Sequence, residues 1–176
     1  MGEYVEESGM CFGPFPSEAL IRIEKIPDYT AIQKGMHISE FVYYDKQKQK
    51  LISLEAKTSA PNPNSEKTEN PKENFRGFIY EMREKFENSL DLYLNMALKK
   101  NVPGDFCKID YNKLEIIFIL VVKNHQKQWL KDIKDAMEMA VRSIHRTNKI
   151  WKCKVMVLNE EMAVKFKLAV AEQSAE

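Results

Sequence analysis

The sequence has few of the residues and motifs that mark cofactor-binding, zinc-binding and secreted proteins. Its 176 residues include three cysteines, Cys11, Cys107 and Cys153, which are far apart and form no CxxC pair. Neither a zinc site nor a disulfide framework is therefore indicated. No GxGxxG segment and no P-loop signature occurs, which argues against dinucleotide and P-loop nucleotide binding. The three histidines are scattered and form no recognisable arrangement with a serine or cysteine nucleophile.

Net charge and long apolar runs are also missing. The 27 lysines and arginines nearly balance the 26 aspartates and glutamates, giving a net charge of +1, so bulk charge gives no sign of nucleic-acid binding. No apolar run approaches the roughly 20 residues that a membrane span needs. The first residues, MGEYVEESG, are acidic and lack the layout of a secretory signal. We therefore expect a cytoplasmic protein without a membrane partner.

The composition is 44% hydrophobic and 30% charged, which is typical of a globular protein. At this length we expect one domain over residues 1–176. Glycines and prolines in residues 1–18 predict an irregular lead-in. Residues 58–74 are rich in proline, asparagine, serine and glutamate and predict a long polar loop, which is uncommon unless functional or mobile. Residues 172–176 are interpreted as a polar tail.

The spacing of the apolar residues predicts strands alternating with helices. Strands are expected over 19–26, 38–44, 51–57, 114–122 and 152–158. Helices are expected over 75–100, 126–147 and 160–171, with one or two helical turns over 28–34. Asn74 and Asn159 are the expected N-caps, and Glu81 and Lys85 are expected to pair on a solvated helix face. Because strands separated by such helices need crossover connections, we expect an α/β fold with a mixed central sheet flanked by helices.

The third predicted strand carries a polar face that suggests metal chemistry. Successive side chains leave opposite faces of a strand, so Ser53, Glu55 and Lys57 share one face and apolar residues occupy the other. Glu40, on the preceding strand, brings a second carboxylate to the same place if the two strands pair. Mg²⁺ prefers oxygen ligands and needs only one or two carboxylates, and a nearby lysine can stabilise charge on a phosphate.

Glu40 followed by Glu55-Ala56-Lys57 at a strand end resembles the PD-(D/E)xK nuclease superfamily, which has the restriction-endonuclease-like fold. The resemblance implies that Glu40 and Glu55 bind Mg²⁺ or Mn²⁺ and that the carbonyl of Ala56 is a further ligand. It implies that Lys57 assists the attacking water. It also implies that the protein is a nuclease hydrolysing phosphodiester bonds, with DNA as the substrate, and that its predicted strand–strand–strand–helix–strand order is the superfamily's core.

Four further residues are close enough in the predicted arrangement to support this site. Glu24 is a candidate extra acid, although an exposed residue on its strand is the simpler interpretation. Ser53 lies on the same strand face, and Thr58 and Ser59 follow that strand directly, within reach of a substrate or a water molecule.

A second function of a different class remains open. The first acid is a glutamate preceded by Ser39 rather than an aspartate preceded by proline, and the near-neutral charge gives no nucleic-acid signature. Both observations favour a non-catalytic binding or regulatory protein built on the same fold. Acid-x-lysine triplets also arise by chance, as in Asp132-Ile133-Lys134, where a helical pattern keeps the two charges apart. A homo-oligomer, in which a second copy adds binding surface, is left open as well.

Overall fold

The computed structural model describes residues 2–26, 29, 35–141 and 152–171. The strands within these ranges are β1 Gly2–Glu7, β2 Met10–Pro16, β3 Leu20–Ile21, β4 Phe41–Asp45, β5 Lys50–Lys57, β6 Glu115–Val122, β7 Lys152–Asn159 and β8 Ala169–Val170. The α-helices are α1 Pro71–Leu98, α2 Leu130–Ala140 and α3 Glu160–Lys165. No helix in the described ranges has the length and apolar character needed to cross a membrane.

A five-stranded mixed sheet is the centre of the fold, with strand order β3-β4-β5-β6-β7. The first three strands form an antiparallel meander, and β5, β6 and β7 are parallel. Parallel neighbours need crossover connections. Here α1 lies in the connection from β5 to β6, and α2 lies in the connection from β6 to β7. The predicted α/β class with a mixed sheet is therefore confirmed.

The central strand β6 is apolar along nearly its whole length because both of its faces are covered. Ile116, Phe118, Leu120 and Val122 pack in the cluster with α1 and α2, where the rings of Phe86 and Phe118 lie 4.9 Å apart. The alternate residues of β6 pack in a second cluster on the opposite face. A strand buried on both faces is what the continuous run of β-branched and aromatic residues predicts.

The interpretation of residues 1–18 as an irregular lead-in is wrong. Strands β1 and β2 form an antiparallel hairpin, and β8 adds to β2 as a third strand. Ser8 and Gly9, both with positive φ, make the two-residue turn that such hairpins favour. Val5 and Phe12 are completely buried against the second face of the large sheet. That face is therefore covered by a small sheet and the short helix α3, not by long helices as expected.

Several predicted boundaries also differ. The expected strand over 19–26 is reduced to Leu20–Ile21, because the residues on either side form two short 3-10 turns. Helix α1 begins at Pro71, so the polar loop is shorter than 58–74. Proline suits this first position because its missing N–H would be unpaired there in any case. Asn74 is therefore inside the helix and is not its cap.

The last two predicted helices are shorter than expected. Helix α2 follows a 3-10 turn and is described from Leu130 to Ala140, while residues 142–150, with His145, lie outside the described residues. Helix α3 ends at Lys165 because Lys167 adopts a left-handed conformation, and the chain then enters β8. The predicted cap at Asn159 is confirmed, since its side chain accepts a hydrogen bond of 3.0 Å from the N–H of Met162. The helical turns expected over 28–34, apart from position 29, and the tail 172–176 lie outside the described residues.

Candidate functional site

Glu55 is a carboxylate with no solvent exposure in the middle of the fold. Its Oε1 atom lies 2.7 Å from the Nζ atom of Lys85 and 3.3 Å from the Nζ atom of Lys57. Its Oε2 atom is also buried and has no hydrogen-bond partner among the described residues. A buried carboxylate oxygen without a partner is costly, so this atom is a strong candidate for binding a further donor or a cation.

Strand β5 and helix α1 build this arrangement together. The expected shared face of Ser53, Glu55 and Lys57 is confirmed, because all three side chains lie on the α1 side of β5. Helix α1 places Glu81 and Lys85 over this face, since residues four apart are neighbours on one side of a helix. The Nζ atom of Lys57 lies 3.1 Å from Oε1 of Glu81.

Sequence reasoning missed Glu81 and Lys85 as members of the site. The two residues were expected on a solvated face, but only 14% of the Lys85 side chain is exposed. The i,i+4 spacing correctly indicated that they share a face of α1. No feature of the sequence indicated that this face covers β5, because Lys85 and Glu55 are 30 positions apart.

Glu40 lies immediately before β4, and its backbone N–H donates a 3.0 Å hydrogen bond to the carbonyl of Leu54. This contact places the start of β4 beside the end of β5. Burial raises the pKa of Glu40 to about 7, and the negative charges of Glu55 and Glu7 add to this effect. Lys85 and Lys57 act in the opposite direction. Glu40, Glu55 and Lys57, the residues singled out from the sequence, are thus electrostatically coupled at one site.

The two partners in the buried ion pair respond to burial in different ways. Burial raises the pKa of Glu55, and contacts with Lys85 and Lys57 offset part of that effect. Burial lowers the pKa of Lys57, but Glu55 and Glu81 outweigh it, so the pKa of Lys57 is raised. Lys57 is therefore a permanent cation at neutral pH, and it can stabilise charge but cannot accept a proton there.

A chain of buried serine hydroxyls connects the segments that carry the site. The N–H and the hydroxyl of Ser39 each lie 2.8 Å from Oγ of Ser89, which in turn donates to the carbonyl of Lys85 at 2.7 Å. The Ser53 hydroxyl lies 2.7 Å from that of Ser39, and must donate to it because the Ser39 proton is already used. These contacts join β5, α1 and the residue preceding Glu40, so they fix the relative positions of the three segments.

A polar cavity of about 250 Å³ opens beside Glu40. Its lining residues are Glu24, Tyr29, Met36, His37, Ile38, Ser39, Glu40 and Lys85. Lys85 therefore joins the buried Glu55 to this cavity. Glu24 is part of the lining, but its carboxylate also lies 2.8 Å from the guanidinium of Arg22, and it belongs to a 3-10 turn rather than to a strand.

The tip of the N-terminal hairpin reaches the end of β5. The Ser8 hydroxyl donates a 3.0 Å hydrogen bond to the carbonyl of Ala56, and Glu7 forms a 3.0 Å ion pair with Arg22. A carbonyl oxygen has two lone pairs, and this bond uses one of those of Ala56. Thr58 and Ser59, which were expected near the substrate, are both exposed directly after β5.

The residues fit a single hard divalent cation better than a site with many protein ligands. No group of three or more histidine, cysteine, aspartate or glutamate side chains in the described residues is arranged to hold a metal ion. Glu55 offers a carboxylate oxygen that has no hydrogen-bond partner among the described residues. Glu40 offers a second carboxylate, although burial disfavours its charged form, and Ala56 offers its carbonyl oxygen. Mg²⁺ is commonly held by one or two carboxylates and keeps several waters, so this donor set is sufficient for it.

A scan against protein-family models, a search of curated proteins and a search of solved structures each found no match. The functional argument therefore depends on the geometry and chemistry of these residues.

Proposed function

We propose that the protein is a metal-dependent nuclease that hydrolyses phosphodiester bonds of nucleic acid. The observation that carries the proposal is the buried Glu55, which shares one site with a second carboxylate, Glu40, and with two lysines. The order of elements supports it. An antiparallel meander β3-β4-β5, a crossover helix and the parallel strand β6 follow the strand–strand–strand–helix–strand order on which the resemblance is based. Glu40 precedes β4 and Glu55-Ala56-Lys57 ends β5, as the resemblance implies.

In this proposal Glu40, Oε2 of Glu55 and the carbonyl of Ala56 hold Mg²⁺ or Mn²⁺. The bound ion would offset charge on the phosphoryl oxygens and lower the pKa of a coordinated water. Glu40 must be ionised to act as a ligand, so binding of the cation is expected to strengthen as the pH rises towards the Glu40 pKa of about 7. The lysine side chains beside Glu55 stabilise negative charge that develops on the phosphate.

An exposed surface on the first turns of α1 supports a nucleic-acid substrate. It carries Lys72, Arg76 and the exposed Tyr80, together with the acidic Glu73. Gly77 lies one helical turn before Glu81, so this surface is close to the site along α1. Lysine and arginine contact phosphates, and an exposed tyrosine can stack on a base. DNA is proposed as the substrate on the family resemblance.

The test is a cleavage assay on labelled single-stranded and double-stranded DNA and RNA with Mg²⁺ or Mn²⁺. We expect cleavage by the unchanged protein, loss of cleavage in Glu55→Gln, and no change in Glu161→Gln, an exposed control. Removing one electrostatic catalytic group commonly costs on the order of 100-fold in rate. Wild-type activity in Glu55→Gln would show that this carboxylate is not part of the mechanism.

A second candidate is a non-catalytic binding protein on the same fold. The 2.7 Å contact between Lys85 and Glu55 favours it, because the ion pair compensates the buried carboxylate without a metal ion. Calorimetric titration with Mn²⁺ separates the two functions. A nuclease should bind the ion in a manner that Glu40→Gln abolishes, whereas a binding protein need not respond to Mn²⁺ at all.

A further inference from the structure

The two lysines that contact Glu55 have different surroundings. Lys57 lies between two carboxylates, 3.3 Å from Glu55 and 3.1 Å from Glu81, so its charge is compensated on both sides. Lys85 contacts Glu55 at 2.7 Å and lines the polar cavity beside Glu40. Lys57 is not among the residues lining that cavity.

Lys85 also retains the capacity to bind an anion. Its ammonium has three N–H donors, and the contact with Glu55 uses one of them. It faces the cavity together with Glu40, the acid expected to hold the metal ion. The volume of about 250 Å³ is smaller than that of sites for drug-sized ligands and suits a single phosphate group with a few water molecules.

We propose that Lys85, rather than Lys57, is the cation that contacts the reacting phosphate, and that the cavity beside Glu40 receives that phosphate. Lys57 is then a positioning residue that holds Glu55 in place by bridging it to Glu81. This inference rests on the proposed function. It assigns to Lys85, on helix α1, the role that the family resemblance gives to Lys57 on strand β5.

Amine footprinting tests the inference on the unchanged protein. The protein is acetylated briefly with and without thymidine 5′-monophosphate and Mn²⁺, and mass spectrometry measures modification of each lysine. We expect the nucleotide to reduce acetylation of Lys85 severalfold and to leave Lys57 unchanged, with the exposed Lys131 as the internal control. Protection of Lys57 without protection of Lys85, or protection of neither, overturns the inference.

Substitutions provide a second readout. Loss of a hydrogen bond to a charged group costs about 1.5–3 kcal/mol, so Lys85→Met is expected to weaken nucleotide binding on the order of 10- to 100-fold. Lys85→Arg should recover part of the affinity, and Lys57→Met should weaken binding less than Lys85→Met does. Lys131→Met, at an exposed lysine outside the site, should leave the affinity within a factor of about three, which is less than 1 kcal/mol. Equal weakening by Lys57→Met and Lys85→Met would overturn the assignment. Urea unfolding of each variant identifies those that do not fold, and for these the footprinting result decides.

The two proposals fail in distinguishable ways. If the protein cleaves nucleic acid but the nucleotide protects Lys57 alone, the nuclease function stands and the role of Lys85 is wrong. If the protein cleaves nothing but the nucleotide protects Lys85, the phosphate site stands and the proposed catalysis is wrong.

Discussion

Replacing Glu40 by glutamine tests the electrostatics of the site without any assumption about substrate. The ordinary pKa of this carboxyl is 4.5, and in the folded protein it is raised to about 7 by burial and by the charges of Glu55 and Glu7. Between these pH values the folded protein keeps a proton that the unfolded chain has released. The free energy of unfolding therefore falls as the pH rises from about 4.5 to 7 and changes little from this group above that. At about 1.4 kcal/mol per pH unit, the loss reaches up to about 3 kcal/mol.

Glutamine has nearly the same shape as glutamate and cannot ionise. The free energy of unfolding of Glu40→Gln therefore does not fall with pH through this group. Urea unfolding of the wild type and Glu40→Gln at pH 5 and pH 8, with EDTA present, measures the effect. Other titrating groups are shared by both proteins and largely cancel in the difference. We expect the variant to gain about 2.5 kcal/mol relative to the wild type between pH 5 and pH 8, because part of the loss has already occurred at pH 5. A relative change below about 0.5 kcal/mol, within ordinary non-additivity, would show that the carboxyl of Glu40 is not held in a charge-disfavouring environment.

Adding the metal ion should largely cancel the stability advantage of Glu40→Gln at pH 8. A ligand that binds only the folded state at 100 times its dissociation constant stabilises it by about 2.7 kcal/mol. Mn²⁺ is expected to stabilise the wild type in this way and to have little effect on Glu40→Gln, and EDTA should abolish the stabilisation of the wild type. Glu161→Gln, far along the chain and exposed, should respond to Mn²⁺ as the wild type does.

Two further predictions concern the packing that positions the site, and both are measured by urea unfolding. Phe86→Ala should cost about 3–5 kcal/mol, because Phe86 is fully buried against Phe118, whereas the exposed Phe166→Ala should cost little. Ser89→Ala should cost about 1–3 kcal/mol, because it leaves the buried N–H of Ser39 without its partner. A loss from Phe166→Ala as large as that from Phe86→Ala, or no loss from Ser89→Ala, would contradict these contacts.

The sheet could be predicted from the sequence where local periodicity determines the structure. The alternation in β5 correctly placed Glu55 and Lys57 on one face, and the apolar run of β6 correctly indicated a strand buried on both sides. The N-terminal hairpin could not be predicted in this way. Glycine and prolines interrupt the alternation of apolar and polar residues in β2. The hairpin is stabilised by burying Val5 and Phe12 against the large sheet, whose strands come later in the sequence.

Only some of the residues at the site could be predicted from the sequence, for a related reason. Glu40 directly precedes β4 and Glu55 lies in the adjacent antiparallel strand β5, so their proximity follows from short-range pairing. Lys85 and Glu81 reach the site through the packing of α1 on the sheet. A charged i,i+4 pair has the same appearance in the sequence whether it faces solvent or covers a buried acid. The burial of Lys85 becomes visible only when the surface that α1 covers is known.

Under the proposed function, the charges of the site predict that a metal ion and a phosphate bind together. With Glu40 ionised, the carboxylates of Glu40, Glu55 and Glu81 exceed the two ammonium groups of Lys57 and Lys85 by one negative charge. A divalent cation then leaves one positive charge in a partly buried place, which is costly, and a phosphodiester with one negative charge removes it. Each ligand therefore stabilises the binding of the other, and by linkage the two effects are equal in free energy. Both lysines offset the acids in this balance, and Lys85, which also lines the cavity, is the one proposed to face the phosphate.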